Sequence, residues 1–126
     1  MSWQQYVDTN LIGSKNLARA AIIGHDGNNW ASSTPKLVSQ TDGKALSDLF
    51  KKPNEALEKG IMLDGIKYMG IKANERSIYG KKGSTGLVCV KTLKSILVGY
   101  YNETQQPGNA TNTIEKLADY LIENGF

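Results

Sequence analysis

The chain has 126 residues, 40% of them hydrophobic and 21% charged, with a formal net charge of +3. That is the size of one domain, long enough to bury a core without disulfides or a structural metal, so the expected organisation is a single domain over residues 1–126. No apolar run is long enough to span a bilayer, no basic segment followed by an apolar core opens the chain, and the single Cys89 excludes an internal disulfide; the composition points to a soluble, cytosolic protein.

The first predicted element is a helix over residues 2–11, with Ser2 as N-cap and Gly13 as its stop. Trp3, Tyr6 and Asn10 fall on one stripe of it. ARAAIIG and NNWASS then read as two strands around HDGN, a hairpin signal because Asp-Gly and Asn accept positive φ. DGKALSDLF has helical spacing at Ala45, Leu46, Leu49 and Phe50. PNEALEKG reads as a second short helix, with Pro53 near its start and Gly60 past its end.

From Gly60 onward the apolar period becomes two. IMLDGIKYMGIKA carries an Asp64-Gly65 turn between apolar runs, and SIYGKKGSTGLVCVKTLKSILVGYY supplies three more strands with glycines at the breaks. The connections are too short for crossover helices, so the sheet is antiparallel. NATNTIEKLADYLIENGF is the clearest helix: Ile114, Leu117, Ala118 and Leu121 form a core-facing stripe and Gly125 closes it. Tyr120 lies about 100° off that stripe and is expected to be exposed or shared with a neighbour. The expected fold class is α+β, with a central antiparallel sheet, the N- and C-terminal helices packed on one face and the short helices on the other.

The charge is uneven. Residues 67–94 hold Lys67, Lys72, Arg76, Lys81, Lys82, Lys91 and Lys94 against Glu75 alone, which is +6, and leave about −3 for the rest. Such a block attracts nucleic acid, an anionic membrane or an acidic protein, or is a solvated sheet face. Catalytic constellations are not visible. His25, the only histidine, has no partner at ligand spacing and reads as a turn residue; Cys89 lies in the apolar GLVCV and reads as a packed thiol. GKKGSTG does not match a phosphate-binding loop and falls between strands, so it reads as a basic hairpin loop.

What remains is aromatic. A Trp or Tyr taken singly is usually core, but Trp3, Tyr6, Trp30, Tyr120 and Phe126 come from both chain ends and the first hairpin. If the terminal helices pack side by side near that hairpin, the rings line one shallow groove. Rigid rings with OH and NH handles suit a proline-rich peptide, which already holds the polyproline II shape.

SWQQYVD, AAIIGHDGNNWA, YGKKG and EKLADYLIENGF resemble profilin, the small actin-monomer-binding family, in its amoeboid and lower-eukaryote form. The resemblance covers essentially the whole chain, and the Trp3-x-x-Tyr6 pair with the hairpin Trp30 is its most specific part. It implies no cofactor and three kinds of ligand. Proline-rich segments of formins and related assembly factors would use Trp3, Tyr6, Trp30, Tyr120 and Phe126. Many relatives carry His at the position of Tyr120 and Tyr at that of Phe126, so this groove lacks one hydroxyl at its end. Monomeric actin would use Lys72, Arg76, Lys82, Lys91, Gln106, Gly108, Asn112 and Lys116. Phosphatidylinositol bisphosphate would use Lys67, Lys72, Arg76, Lys81, Lys82 and Lys91, in competition with actin. The resemblance further implies a monomeric, non-enzymatic protein of the cytoplasm and cytoskeleton. The alternative is a nucleic-acid-binding module on the basic sheet, for which Tyr68 and Tyr79 are the aromatic candidates.

Overall fold

The computed structural model describes residues 2–126. Among them, strands β1 (Arg19–Gly24), β2 (Asn29–Ser32), β3 (Ile61–Leu63), β4 (Ile66–Ala73), β5 (Ser77–Lys82), β6 (Thr85–Lys91) and β7 (Ser95–Tyr101) form one antiparallel sheet in the order β2-β1-β7-β6-β5-β4-β3. All neighbours but one are consecutive in the chain. The exception, β1 with β7, runs from Arg19 opposite Tyr100 to Gly24 opposite Ser95 and draws the two ends of the chain together.

Alternation along the strands deals side chains to two cores. Ala20, Ile22, Val88, Val90 and Leu97 pack with Val7 and Leu11 of the N-terminal segment and with Ile114, Leu117, Ala118 and Leu121 of the last helix. Ala21, Ile23, Leu87, Cys89, Ile96 and Val98 face the other way, onto Leu46, Phe50 and Ala56 of helices α2 (Gln40–Lys51) and α3 (Pro53–Lys59). The expected layering is therefore the observed one. Burial on both faces is also why β1, β6 and β7 read as continuous apolar runs. The Asp64-Gly65 turn forms with both residues at positive φ, and in α2 Ala45 departs from its predicted stripe and is exposed.

The N-terminal helix differs from the reading in form and length. α1 (Trp3–Gln5) is one turn, capped by a reciprocal pair of bonds between Ser2 and Gln5, and passes into a π-helical stretch (Tyr6–Leu11) and a 3-10 turn (Ile12–Ser14). Gly13 is not the stop. It sits where a Cβ would come within 3.1 Å of the Asp8 carbonyl oxygen, and the chain turns out of the helix at Lys15, in left-handed conformation at φ 66. Helix α4 (Pro107–Glu123) begins two residues before the predicted Asn109, with Pro107 in its first turn and the Gln106 side chain accepting from the Asn109 N–H. Among the described residues no helix is long and apolar enough to cross a membrane.

Candidate functional site

Because β1 pairs with β7, the N-terminal helix and α4 lie antiparallel on one face of the sheet, and the five aromatic residues meet there. Trp3 is the hub: its ring centroid is 5.0 Å from Trp30, 5.8 Å from Tyr6 and 5.8 Å from Phe126, the last edge-on at 84°. Tyr6 continues the row to Tyr120 at 6.4 Å. The rings are not core. Trp30, Tyr120 and Phe126 are 38%, 51% and 42% exposed, and Trp3 and Tyr6 are half-buried against the core that supports them. Partial burial, then the neighbouring Tyr120 hydroxyl, push the Tyr6 hydroxyl above its ordinary pKa.

Several residues that sequence reasoning passed over hold this row in place. The Gln4 amide donates to the Ser32 carbonyl at 3.0 Å and accepts from the Ser32 N–H at 3.3 Å, stitching the first helical turn to the strand that carries Trp30. Gly24 leaves room for the indole: a Cβ there would lie 2.9 Å from Trp30 Nε1. At the other end, the Phe126 carbonyl oxygen accepts from the Lys94 N–H at 2.8 Å and from the Thr92 hydroxyl at 3.0 Å, and the Lys94 ammonium lies 5.6 Å from the Phe126 ring centroid. Except for the approach of Gly24 to Trp30 within one hairpin, these contacts span long sequence separations, so no local pattern announces them.

The basic block is reorganised by the fold. Arg76 is not a free cation: its guanidinium is 3.0 Å from Glu115 and 2.7 Å from Asp119 of α4. Two acids brought onto the block lower its local balance from +6 to about +4. Glu115 also accepts from the Ser77 and Tyr79 hydroxyls. Burial pushes the Glu115 carboxyl up, but the bonds from Tyr79, Ser77 and Arg76 outweigh it and hold the group below the ordinary carboxylate range. Burial and the same Glu115 bond push the Tyr79 hydroxyl up to about 12. A bulge at Ile71 shifts the register, so that Lys72 lies opposite Tyr79 with its ammonium 5.1 Å from the ring centroid. Lys72 thereby joins Lys67, Met69 and Lys81 on the sheet face beside α4, where Met69 and Ile71 are 70% and 53% exposed.

Lys81 and Lys82, at the tip of the β5–β6 hairpin, line a cleft of about 450 Å³ with Lys67 and with Lys59 from α3, a cation the sequence reading omitted; among the described residues Glu58 is the one carboxylate on its wall. Lys91 lies elsewhere, its N–H donating to the Arg76 carbonyl. On α4, Gln106, Gly108, Asn112 and Lys116 are all exposed, but Lys116 faces the N-terminal helix and not the basic strands. Tyr68 is buried among the short helices and Tyr79 is held by Glu115, so the nucleic-acid alternative loses both of its aromatic platforms. His25 closes its turn with Nε2 3.1 Å from the Thr92 carbonyl oxygen, and Cys89 is a core thiol that burial pushes up to about 12.

Known proteins share this fold. The chain is similar to Profilin-P of Physarum polycephalum, 58% identical over the full length of both, and its fold matches the crystal structure of Acanthamoeba castellanii profilin II with a TM-score of 0.96 at 55% identity, covering 99% of this chain and 100% of the other. The likeness of fold extends to mouse profilin IIa, at 19% identity and a TM-score of 0.79, over 100% of each chain. The family model for profilin matches residues 1–126, and the chain belongs to the profilin family.

Proposed function

We propose that the protein is an actin-monomer-binding adaptor that carries actin on its basic strand face and holds proline-rich segments, such as those of formins, on the row Trp30, Trp3, Tyr6 and Tyr120 with Phe126 beside Trp3. The exposed aromatic row carries the reading. Ring spacings of 5.0–6.4 Å correspond to about two residues of polyproline II at 3.1 Å per residue, so roughly six prolines cover the row. The mouse profilin IIa structure, solved in complex with a double repeat from the FH1 domain of mDia1, supports a proline-rich ligand here. Trp3→Ala removes the hub; it is expected to abolish retention on polyproline resin while leaving actin binding intact, and unchanged retention refutes the groove.

For actin the proposed contacts are Lys72, Arg76, Lys82, Lys91, Gln106, Gly108 and Asn112, with Arg76 positioned by Glu115 and Asp119; Lys116, expected among them, faces the N-terminal helix and is left out of this face. The uncovered Met69 and Ile71 beside Lys72 support that face, since apolar contacts ringed by cations suit an acidic protein partner. Reversing Lys82 and Lys91 to glutamate is expected to weaken actin binding and its salt dependence; unchanged affinity in a sedimentation titration displaces the face. Tethering both ligands raises the effective concentration of monomer near a growing filament, which needs no catalytic group in this chain.

Phosphoinositide binding through Lys67, Lys72, Arg76, Lys81, Lys82 and Lys91 completes the reading, and the cleft supports its Lys67, Lys81 and Lys82 part. Vesicles containing phosphatidylinositol bisphosphate are expected to retain the protein and to release it in Lys81→Glu/Lys82→Glu. The setting is the cytoplasm and its cytoskeleton, with the protein monomeric.

A further inference from the structure

The furrow between the N-terminal helix and α4 does not end at the last aromatic pair. Beyond Tyr6 and Tyr120 it opens into a cavity of about 480 Å³ with Asn10 and Ser14 on one side and Thr113 and Lys116 on the other. The chemistry changes at that point. The row up to the tyrosines is aromatic, whereas the cavity beyond sets an amide, hydroxyls and an ammonium around Leu117, with no carboxylate.

Two of these groups are unspent. Among the described residues Lys116 has no ion pair, and the Asn10 side chain has no hydrogen-bond partner. The acids nearest to Lys116 along its helix, Glu115 and Asp119, are both bound to Arg76 on the far flank of α4, and Asp8 on the N-terminal helix accepts from Gln4. The wall is bonded internally: the Asn16 amide donates to the Thr113 hydroxyl at 3.0 Å, and the Ser14 hydroxyl donates to the Leu11 carbonyl at 2.6 Å. The Thr113 hydroxyl in turn donates to the Asn109 carbonyl, so the cavity's free donors are the exposed Asn10 amide and Lys116 ammonium, set at the end of a peptide-shaped furrow.

We propose that this cavity is a flank subsite: it takes the residues adjoining the proline run of the same ligand, and selects a carboxylate there through Lys116, with the Asn10 amide donating to a flank oxygen. The inference rests on the aromatic row being the proline site. Continuity argues for a flank of that same peptide, because Tyr6 and Tyr120 are at once the end of the row and the mouth of the cavity. Charge complementarity argues for the carboxylate, because the only ionised group lining the cavity is a cation without a partner among the described residues. A basic flank would meet Lys116 unscreened.

The test is a titration of tryptophan fluorescence with five synthetic peptides: plain decaproline, decaproline carrying Gly-Asp-Asp after it or Asp-Asp-Gly before it, and the same two with lysine for aspartate. The expected result is that one acidic-flank peptide, and only the one whose polarity leads into the cavity, binds about two- to fivefold tighter than decaproline, a gain typical of an exposed ion pair. Its lysine counterpart binds no tighter, the gain shrinks with added salt, and in Lys116→Ala the ratio of acidic to plain peptide falls to about one. Equal affinity for acidic, plain and basic flanks overturns the subsite while leaving the groove standing, and so does a gain that survives Lys116→Ala. Failure of plain decaproline to bind overturns the groove reading and this inference with it.

Discussion

Gly24→Ala separates the groove from the fold more cleanly than removal of any ring. A Cβ at residue 24 would lie 2.8 Å from Asp26 Oδ1, 2.9 Å from Trp30 Nε1 and 3.3 Å from Trp30 Cε2. Ordinary contact between such atoms needs roughly 3.5 Å, so the indole must retreat by about 0.6 Å, and the Asp26 carboxylate, which accepts from the Asn28 N–H, must give way as well. Gly24 does not hold a positive φ, so alanine adds no backbone strain. Trp30 is 38% exposed and can swing outward, which keeps the folding cost near the low end for an overfilled site, about 1 kcal/mol. The swing moves Trp30 off Trp3, its partner at 5.0 Å. With Trp30 displaced, the peptide loses one ring to stack on, and a contact of that kind, about 0.5–1.5 kcal/mol, corresponds to roughly a two- to tenfold loss of affinity. Decaproline titrated against tryptophan fluorescence measures that loss, and urea unfolding of the same samples measures the stability. Wild-type affinity in the variant refutes the claim that Gly24 sets the position of Trp30, and a loss that only tracks the unfolded fraction refutes the separation of groove from fold.

The Glu115 network makes stability pH-dependent at both ends. Its carboxyl titrates lower in the native state than in the unfolded chain, so its contribution is present above the ordinary carboxylate value of 4.5 and is lost as pH falls through the native value; urea midpoints should decline on acidification, less so in Glu115→Gln. Tyr79 has the opposite sign: its hydroxyl rises from 10 to about 12, so its share is whole below pH 10 and disappears between those values, and Tyr79→Phe should flatten that alkaline limb. Ile114→Ala, at a fully buried position where α4 meets the sheet, should cost about 2–5 kcal/mol in urea unfolding. A cost below 1 kcal/mol would mean that α4 is not docked through this stripe.

The local elements were legible because each carries a local cause. Turn chemistry at Asp64-Gly65, the Pro53 start and Gly60 end of α3, and the four-residue stripe of α4 are all short-range signals, and each stands where the sequence puts it. The N-terminal helix was legible only in part. Its Ser2 cap is local, but the widening into a π-helix and the exit at Lys15 depend on how Val7 and Leu11 seat against the sheet. Likewise, the period-two pattern of β4 would put Lys72 on the face of Tyr68, and only the bulge at Ile71 moves it to the face of Tyr79.

The sequence by itself determined the parts list of this protein: the α+β class, the order of elements, the five groove aromatics and the basic run, because composition, periodicity and turn residues act over a few positions. Only the tertiary structure decided which of those parts work together. The pairing of β1 with β7 joins rings from opposite chain ends into one row, the docking of α4 on the sheet brings Glu115 and Asp119 to Arg76 and turns it from a free cation into a tied one, and the furrow beyond Tyr6 and Tyr120 leaves Lys116 facing a cavity. The physical reason is range. Hydrogen bonds and ion pairs between residues tens of positions apart are specified by how two packed layers close, which no single stretch of chain encodes.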